Sequence, residues 1–178
     1  MLTANGPDMS QILDLDPRLS TDRLLLVPLG GEHAEDLFSV LSDPLLYEYT
    51  QEDPPASIAA LRTRYEFLES RSSPDGTEAW LNWVLVESTT GMAIGYVQAT
   101  VRSTGADVAW VVGTLWQRRG FATEAVQAML LWLRCAGVSE FRATIHPSHT
   151  ASQRVAAHAG FAPSGEMAGD EVVWLCGA

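Results

Sequence analysis

Three strand-like runs in the middle of the chain, Trp80 to Val86, Met92 to Val101 and Val108 to Val112, constrain the fold more than any other feature. They are separated by Ser88-Thr89-Thr90-Gly91 and Ser103-Thr104-Gly105-Ala106, two clusters of turn-forming residues, so the three runs read as an antiparallel meander. From Gly120 the apolar period lengthens to that of a helix, with Ala122, Ala125, Val126, Met129, Leu130 and Leu133 on one face and an end near Gly137. A strand from Phe141 to Ile145, a helix from about Thr150 to Ala159 stopped by Gly160, and a last strand from Glu171 to Leu175 follow.

Upstream of the meander, Leu24 to Leu29 ends at a glycine pair and reads as a first strand. Glu32 to Leu41 places Ala34, Leu37, Phe38 and Leu41 on one helical face, with Glu32 and Glu35 in the first turn where the helix dipole favours anions. Ser57 caps a second helix whose apolar stripe is Ile58, Leu61, Tyr65 and Leu68. Residues 1–19 read as a flexible arm and residues 20–178 as a single α+β domain, large enough for a real core. The arm carries Asp8, Asp14 and Asp16 and no apolar stretch, which fits neither a signal peptide nor a transit peptide. The longest apolar run, Ala128 to Leu133, has six residues where a membrane span needs about twenty. A cytoplasmic protein without membrane attachment is expected.

Charge narrows the chemistry. There are 22 acidic against 11 basic side chains, a formal net charge of −11, and every basic residue is arginine. Without lysine there is no Walker A loop, no Schiff-base enzyme and no kinase strand lysine. The acidic balance also argues against nucleic acid, whose affinity comes from cations neutralising phosphates. Cys135 and Cys176 are too far apart for a metal or redox pair and read as buried thiols, and no metal site is expected.

One junction stands out, Leu115-Trp116-Gln117-Arg118-Arg119-Gly120-Phe121-Ala122-Thr123-Glu124-Ala125, where a strand turns sharply into an amphipathic helix. The first N–H groups of a helix have no internal acceptor and lie at its positive end, and a glycine there lets an anion approach. Arg118 and Arg119 add mobile positive charge.

This junction resembles the Q/R-x-x-G-x-G/A acetyl-coenzyme A loop of the GNAT superfamily of N-acetyltransferases. Thr21-Asp22-Arg23-Leu24-Leu25-Leu26 is similar to the opening of its ribosomal-protein N-terminal acetyltransferase branch, the RimJ/RimL type. His146-Pro147-Ser148-His149-Thr150-Ala151-Ser152-Gln153-Arg154-Val155, followed by Gly160-Phe161, resembles that branch's H-P-x-N-x-x-S-x-R-V…G-F segment, and Asp107-Val108-Ala109-Trp110 stands where the family writes E-I-G-Y. The resemblance implies a strongly twisted, mostly antiparallel mixed sheet with helices on both faces. That sheet would splay open between its fourth strand, Val108 to Val112, and its fifth, Phe141 to Ile145.

It also implies the site. The pantetheine arm would run along Val111, Val112 and Gly113 at a bulge in the fourth strand, and the pyrophosphate would sit on Gln117, Arg118, Arg119, Gly120, Phe121, Ala122 and Thr123. His149 replaces the usual asparagine beside the pantetheine. Acetyl transfer to a primary amine, by direct attack, needs a base and an acid. Asp107 and His146 are the two candidate bases. Ala156 stands where many members carry a thiolate-protonating tyrosine, so Ser152 is the candidate donor.

The acceptor is read from charge: from Leu24 to Leu61 there are seven acids and no arginine, which suits a cationic amine, either a protein N-terminus or a small molecule. Glu52 and Asp53, with Tyr47, Tyr49 and Trp110 as wall residues, are the candidate acceptor site. A longer acyl group such as succinyl, or an acyl-coenzyme A sensor with little catalysis, stays open, as does a monomer or a homodimer.

Overall fold

The expected meander is the centre of one eight-stranded sheet. The computed structural model describes residues 7–50 and 52–177. The helices are α1 (Met9–Asp14), α2 (Ala34–Leu41), α3 (Ile58–Leu68), α4 (Phe121–Cys135) and α5 (Thr150–His158). The strands are β1 (Leu19–Ser20), β2 (Leu24–Pro28), β3 (Ala79–Glu87), β4 (Ala93–Arg102), β5 (Gly105–Val112), β6 (Phe141–Ile145), β7 (Ala162–Ala168) and β8 (Glu171–Cys176). Short 3-10 turns occupy Gly31–His33, Pro44–Tyr47 and Thr114–Trp116. The strand order is β1-β2-β3-β4-β5-β6-β8-β7, antiparallel throughout except for β5 and β6, which run parallel with α4 as their crossover. This is the mixed α+β architecture expected from the sequence.

Alternation along the strands buries both faces of the sheet. On one face Leu81, Trp83, Leu85, Val97, Ala99, Val108 and Val112 pack under Phe121, Val126, Met129, Leu130 and Leu133 of α4 and Ala156 of α5. On the other, Val84 packs against Ala34, Leu37 and Leu41 of α2 and Leu61 and Tyr65 of α3. Ser57 caps α3 as expected, its Oγ accepting from Ala60 N at 3.1 Å. The buried stripe is narrower than the sequence suggests, because Ile58 is 38% exposed and Leu68 only half-buried.

Two expectations are corrected. The arm read as flexible is folded from Asp8 onward: Asp8 caps α1, accepting from Ser10 N, and Ile12 is 1% exposed in the main core. Full burial of such a side chain is worth about 1.5–3 kcal/mol. The buried Trp83 indole also donates to Pro17 O at 2.6 Å, so the segment is fastened to the middle of the sheet. Residues 1–6 of that arm lie outside the described residues. Cys176 is buried as expected, but Cys135, at the end of α4, is exposed.

Candidate active site

The strands β5 and β6 pair through only two positions, Ala106 with Phe141 and Asp107 with Arg142. Beyond them Val108 to Val112 has no strand partner on that side among the described residues, while all five residues of β6 pair with β8 on the other. The sheet is therefore split toward the C-terminal ends of β5 and β6, and one edge of β5 is left unpaired. Which backbone groups face the split follows from two hydrogen bonds. Ala106 N donates to Glu140 O at 2.9 Å, on the β6 side, and Gly113 N donates to Ile94 O at 2.8 Å, on the β4 side. No register shift interrupts β5 against β4, so alternation turns the N–H and C=O groups of Val108, Trp110 and Val112 toward the opening and those of Val111 toward β4.

That geometry corrects the expected bulge. The irregularity lies one strand over, where Leu85 pairs with Gly95 and Val86 with Ala93, leaving Ile94 as the extra residue. Gly113 has its N–H engaged, and a Cβ there would lie 2.7 Å from Val40 Cγ1 and 3.0 Å from the Trp116 ring, so its smallness serves packing. Of the three residues assigned to the pantetheine arm, only Val112 turns its backbone to the split, and its carbonyl already accepts from Gln117 Nε2 at 3.0 Å.

At the open end the chain from Arg118 to Thr123 forms an anion cradle. Arg118 and Gly120 both have positive φ, 61° and 83°, on either side of Arg119. No hydrogen-bond acceptor for the six N–H groups of Arg118, Arg119, Gly120, Phe121, Ala122 and Thr123 is found among the described residues, and the first engaged amide is Glu124 N, bonded to Gly120 O at 3.1 Å. Consecutive free N–H groups at a helix start, aimed by positive φ at Arg118 and Gly120, make a concavity of positive potential. A non-glycine residue in the left-handed region costs of order 1 kcal/mol and persists only where its surroundings enforce it.

The surroundings do enforce it. Glu124 accepts from Thr21 Oγ1 at 2.5 Å, from Arg23 N at 3.1 Å and from Arg23 Nε at 2.7 Å, and Arg23 Nη1 donates to Arg119 O at 2.9 Å. Burial opposes the charged Glu124 carboxylate, but these hydrogen bonds outweigh it and hold its pKa below the usual glutamate range. Arg119 is engaged: its Nη2 pairs with Glu87 Oε1 at 2.9 Å, and its guanidinium and that of Arg23 lie over the buried Phe121 ring, 4.8 and 4.6 Å from the centroid. Among the described residues Arg118 has no ion pair, so it is the free cation at the cradle.

Across the opening stand the end of β6 and the start of α5. His146 Nδ1 accepts from Ser148 N at 3.2 Å, which in the neutral ring puts the proton on Nε2. His149 is stacked on Tyr49, with ring centroids 4.6 Å apart, and Tyr49 lies 5.7 Å from His146. Burial lowers the His149 pKa, Glu48 raises it and His146 lowers it further, with a net shift downward. Neither the His149 ring nor the Ser152 hydroxyl has a hydrogen-bond partner among the described residues. Ser152 sits one helical turn before the fully buried Ala156, on the same face of α5.

Asp107 is committed elsewhere. Its Oδ2 accepts from Arg102 Nη1, while the same guanidinium donates through Nε to Glu78 Oε1 at 2.6 Å, and its Oδ1 accepts from Arg142 Nη1 at 3.2 Å. The carboxylate closes the short parallel pair between β5 and β6. Both carboxylate oxygens are already engaged as acceptors, which leaves neither free to take a substrate proton.

On the α3 face of the sheet lies a cavity of about 180 Å³, lined by Tyr47, Glu52, Asp53, Arg64, Tyr65 and Tyr96 among others. Tyr96 pairs across the sheet with Val111, and its neighbour two residues on, Gln98, with the exposed Ala109. The cavity therefore abuts the odd-numbered side chains of β5. Tyr47, Glu52 and Asp53 are the residues the acidic segment suggests; Tyr49 is instead part of the histidine cluster. Trp110, expected as a wall, has the opposite parity and packs on the α4 face, 6.5 Å from the Phe161 ring. Sequence reading missed Arg64, Tyr65 and Tyr96, since Tyr65 shares the period of the α3 core stripe and strand alternation alone does not reveal which face meets a cavity. Among the described residues no group of acids, histidines and cysteines is arranged to hold a metal ion, and no helix is long and apolar enough to cross a membrane.

A split between parallel strands with an anion cradle at its mouth is the arrangement that the resemblance implies, and the family follows from comparison with known proteins. Residues 23–162 match the model of the acetyltransferase (GNAT) domain, well over half of the chain, and the protein belongs to that family of acetyltransferases. No curated protein matches the sequence. Among solved structures the chain resembles ribosomal-protein-S5-alanine acetyltransferase from Vibrio fischeri, at 16% identity and a TM-score of 0.78 over 91% of this chain and 97% of that one. A GNAT-family acetyltransferase from Bacillus anthracis is 18% identical with a TM-score of 0.74, covering 90% of this chain and 98% of that one. AAC(6')-Ib, in complex with paromomycin and acetyl-CoA, is 17% identical with a TM-score of 0.71, covering 88% and 94%.

Proposed function

We propose that the protein transfers an acetyl group from acetyl-coenzyme A to a primary amine, both substrates being bound together. The observation that carries this is the run of six unpartnered N–H groups from Arg118 to Thr123 beside the unpaired edge of β5. The cradle and Arg118 suit the pyrophosphate, and the backbone of Trp110 and Val112 suits the amides of the pantetheine arm. Acetyl-coenzyme A supplies a thioester, whose acetyl carbon bonds to the amine nitrogen as its bond to sulfur breaks. The amine gives up a proton and the sulfur gains one.

His149 is the residue best suited to take the amine proton, because burial lowers its pKa and so favours the neutral ring, and its nitrogens have no hydrogen-bond partner among the described residues. His146 has its Nδ1 lone pair occupied and Asp107 is held by two arginines, so neither is as free. An α-amine, with a reference pKa of about 7.7–8.0, asks little of such a base. The unengaged Ser152 hydroxyl is the proposed donor to sulfur. Glu52 and Asp53 supply the field for a cationic acceptor.

Thiol release measured over an amine panel tests this reading. We expect release that depends on amine, favours cationic acceptors and weakens at high salt. Tight acetyl-coenzyme A binding with equally slow release for every amine would instead indicate a binding module.

A further inference from the structure

Four buried polar atoms lack a hydrogen-bond partner among the described residues: Arg62 Nε, Tyr65 Oη, Arg71 Nη2 and Trp174 Nε1. Two of these residues line a cavity. The one beside Arg71 measures about 10 Å³, room for a single water. The one beside Tyr65 measures about 180 Å³, and Tyr65 is 4% exposed. A buried hydroxyl with no partner costs free energy unless something arrives to accept its proton. Burial raises the pKa of this phenol, so Tyr65 stays neutral and offers a donor.

The charges around the cavity give the ligand its pattern. Arg64 is on the wall next to Tyr65, and no carboxylate pairs with it among the described residues. Glu52 and Asp53, also on the wall, have no cationic partner there either. A cation, a phenol donor and two acids around one cavity complement a ligand that carries both a carboxylate and an ammonium. Leu29, Leu41 and Leu61 add apolar lining.

Resting on the acetyltransferase reading above, we propose that the acceptor is a small free amino acid, its carboxylate bound by Tyr65 Oη and Arg64 and its amine drawn to Glu52 and Asp53. A free carboxylate fits better than the carbonyl of a peptide N-terminus because the Arg64 guanidinium has no ion-pair partner among the described residues.

The test compares acceptors that differ only at the carboxylate: phenylalanine, phenylalaninamide and phenethylamine, with lysine against cadaverine and an alanine-led tripeptide as a peptide arm. We expect the free amino acids to exceed their decarboxylated partners in kcat/KM by about tenfold or more. Tyr65→Phe and Arg64→Gln should each abolish most of that preference. Tyr65→Phe removes an unsatisfied hydroxyl from a packed site, so its melting temperature should hold or rise, which separates the effect from misfolding. Equal use of amines with and without a carboxylate, faster turnover of the tripeptide, or equal losses for all acceptors in both variants would overturn the proposal. Turnover without carboxylate preference overturns it alone; no acetyl-coenzyme A binding and no turnover of any amine overturns the transferase reading as well.

Discussion

Arg23 and Glu124 stand 101 residues apart in the chain and meet twice through one carboxylate oxygen, Nε at 2.7 Å and Nη2 at 2.5 Å from Oε2. The contact ties the start of β2 to the first turn of α4, and Arg23 continues to Arg119 O, so it braces the backbone of the cradle directly. The Thr21-Asp22-Arg23 opening and the glycine loop, which look independent in the sequence, are two parts of one device. Glu124→Gln should cost about 1–2 kcal/mol, since Arg23 is half exposed and screened, and should raise the KM for acetyl-coenzyme A several-fold with little change in kcat. Loss of kcat with unchanged KM would contradict the bracing role.

The same carboxylate predicts a pH effect on stability. Its folded pKa is below the ordinary value, so the native state holds fewer protons than the unfolded chain and stability rises with pH through that window. The contribution is complete above the ordinary glutamate pKa and is lost as pH falls through the lowered one. Melting temperatures measured from pH 6 downward should fall less steeply in Glu124→Gln than in the wild type.

His149 carries a second pH signature. Its lowered pKa places the acid limb of kcat/KM below the usual histidine value of about 6.5, with activity rising as the ring loses its proton. His149→Asn should remove that limb for acceptors of high pKa. An unchanged profile would take His149 out of the role of base.

Asp107→Asn should behave as a structural change. It leaves Arg102 and Arg142 facing a neutral group, and because all three side chains are partly exposed the loss should be about 1 kcal/mol or less. The acid limb should stay where it is. A limb that disappears in this variant would restore Asp107 as the base.

Gly120→Ala tests the cradle. At φ 83° an added Cβ costs about 1–2 kcal/mol of backbone strain, while its nearest neighbour, Arg23 Nη2, is 3.4 Å away and leaves room. The variant should fold with a lower melting temperature and bind acetyl-coenzyme A about tenfold or more weakly; wild-type affinity would show that these amides do not hold the ligand.

Where local pattern and tertiary structure agree, the sequence was legible. Phe141–Ile145 and the α4 face are recovered because alternation and the 3.6 period are each imposed by one buried side. β7 was not legible: Ala162–Ala168 contains Pro163 and Gly165, is almost wholly exposed, and is a strand only through its pairing with β8. α1 left a faint signal, the Asp8 cap followed by Met9, Ile12 and Leu13, in a segment whose charges suggested disorder. At the site, the glycine turn announced the cradle, but the engagement of Arg119 with Glu87 and of Asp107 with two arginines depends on residues brought together only by the sheet. The tyrosine cavity escaped for the same reason, since Tyr65 and Tyr96 come from different elements and meet across the α3 face.

The most direct measurement is the melting temperature of the protein with and without acetyl-coenzyme A, in parallel with Gly120→Ala. At about 100 times its dissociation constant a ligand stabilises by about 2.7 kcal/mol, which in a domain of this size is a shift of about 5–10 °C. We expect a shift of that order in the wild type and a much smaller one in the variant at the same concentration. No shift in the wild type would mean that the split between β5 and β6, with its six free amides, does not hold acetyl-coenzyme A.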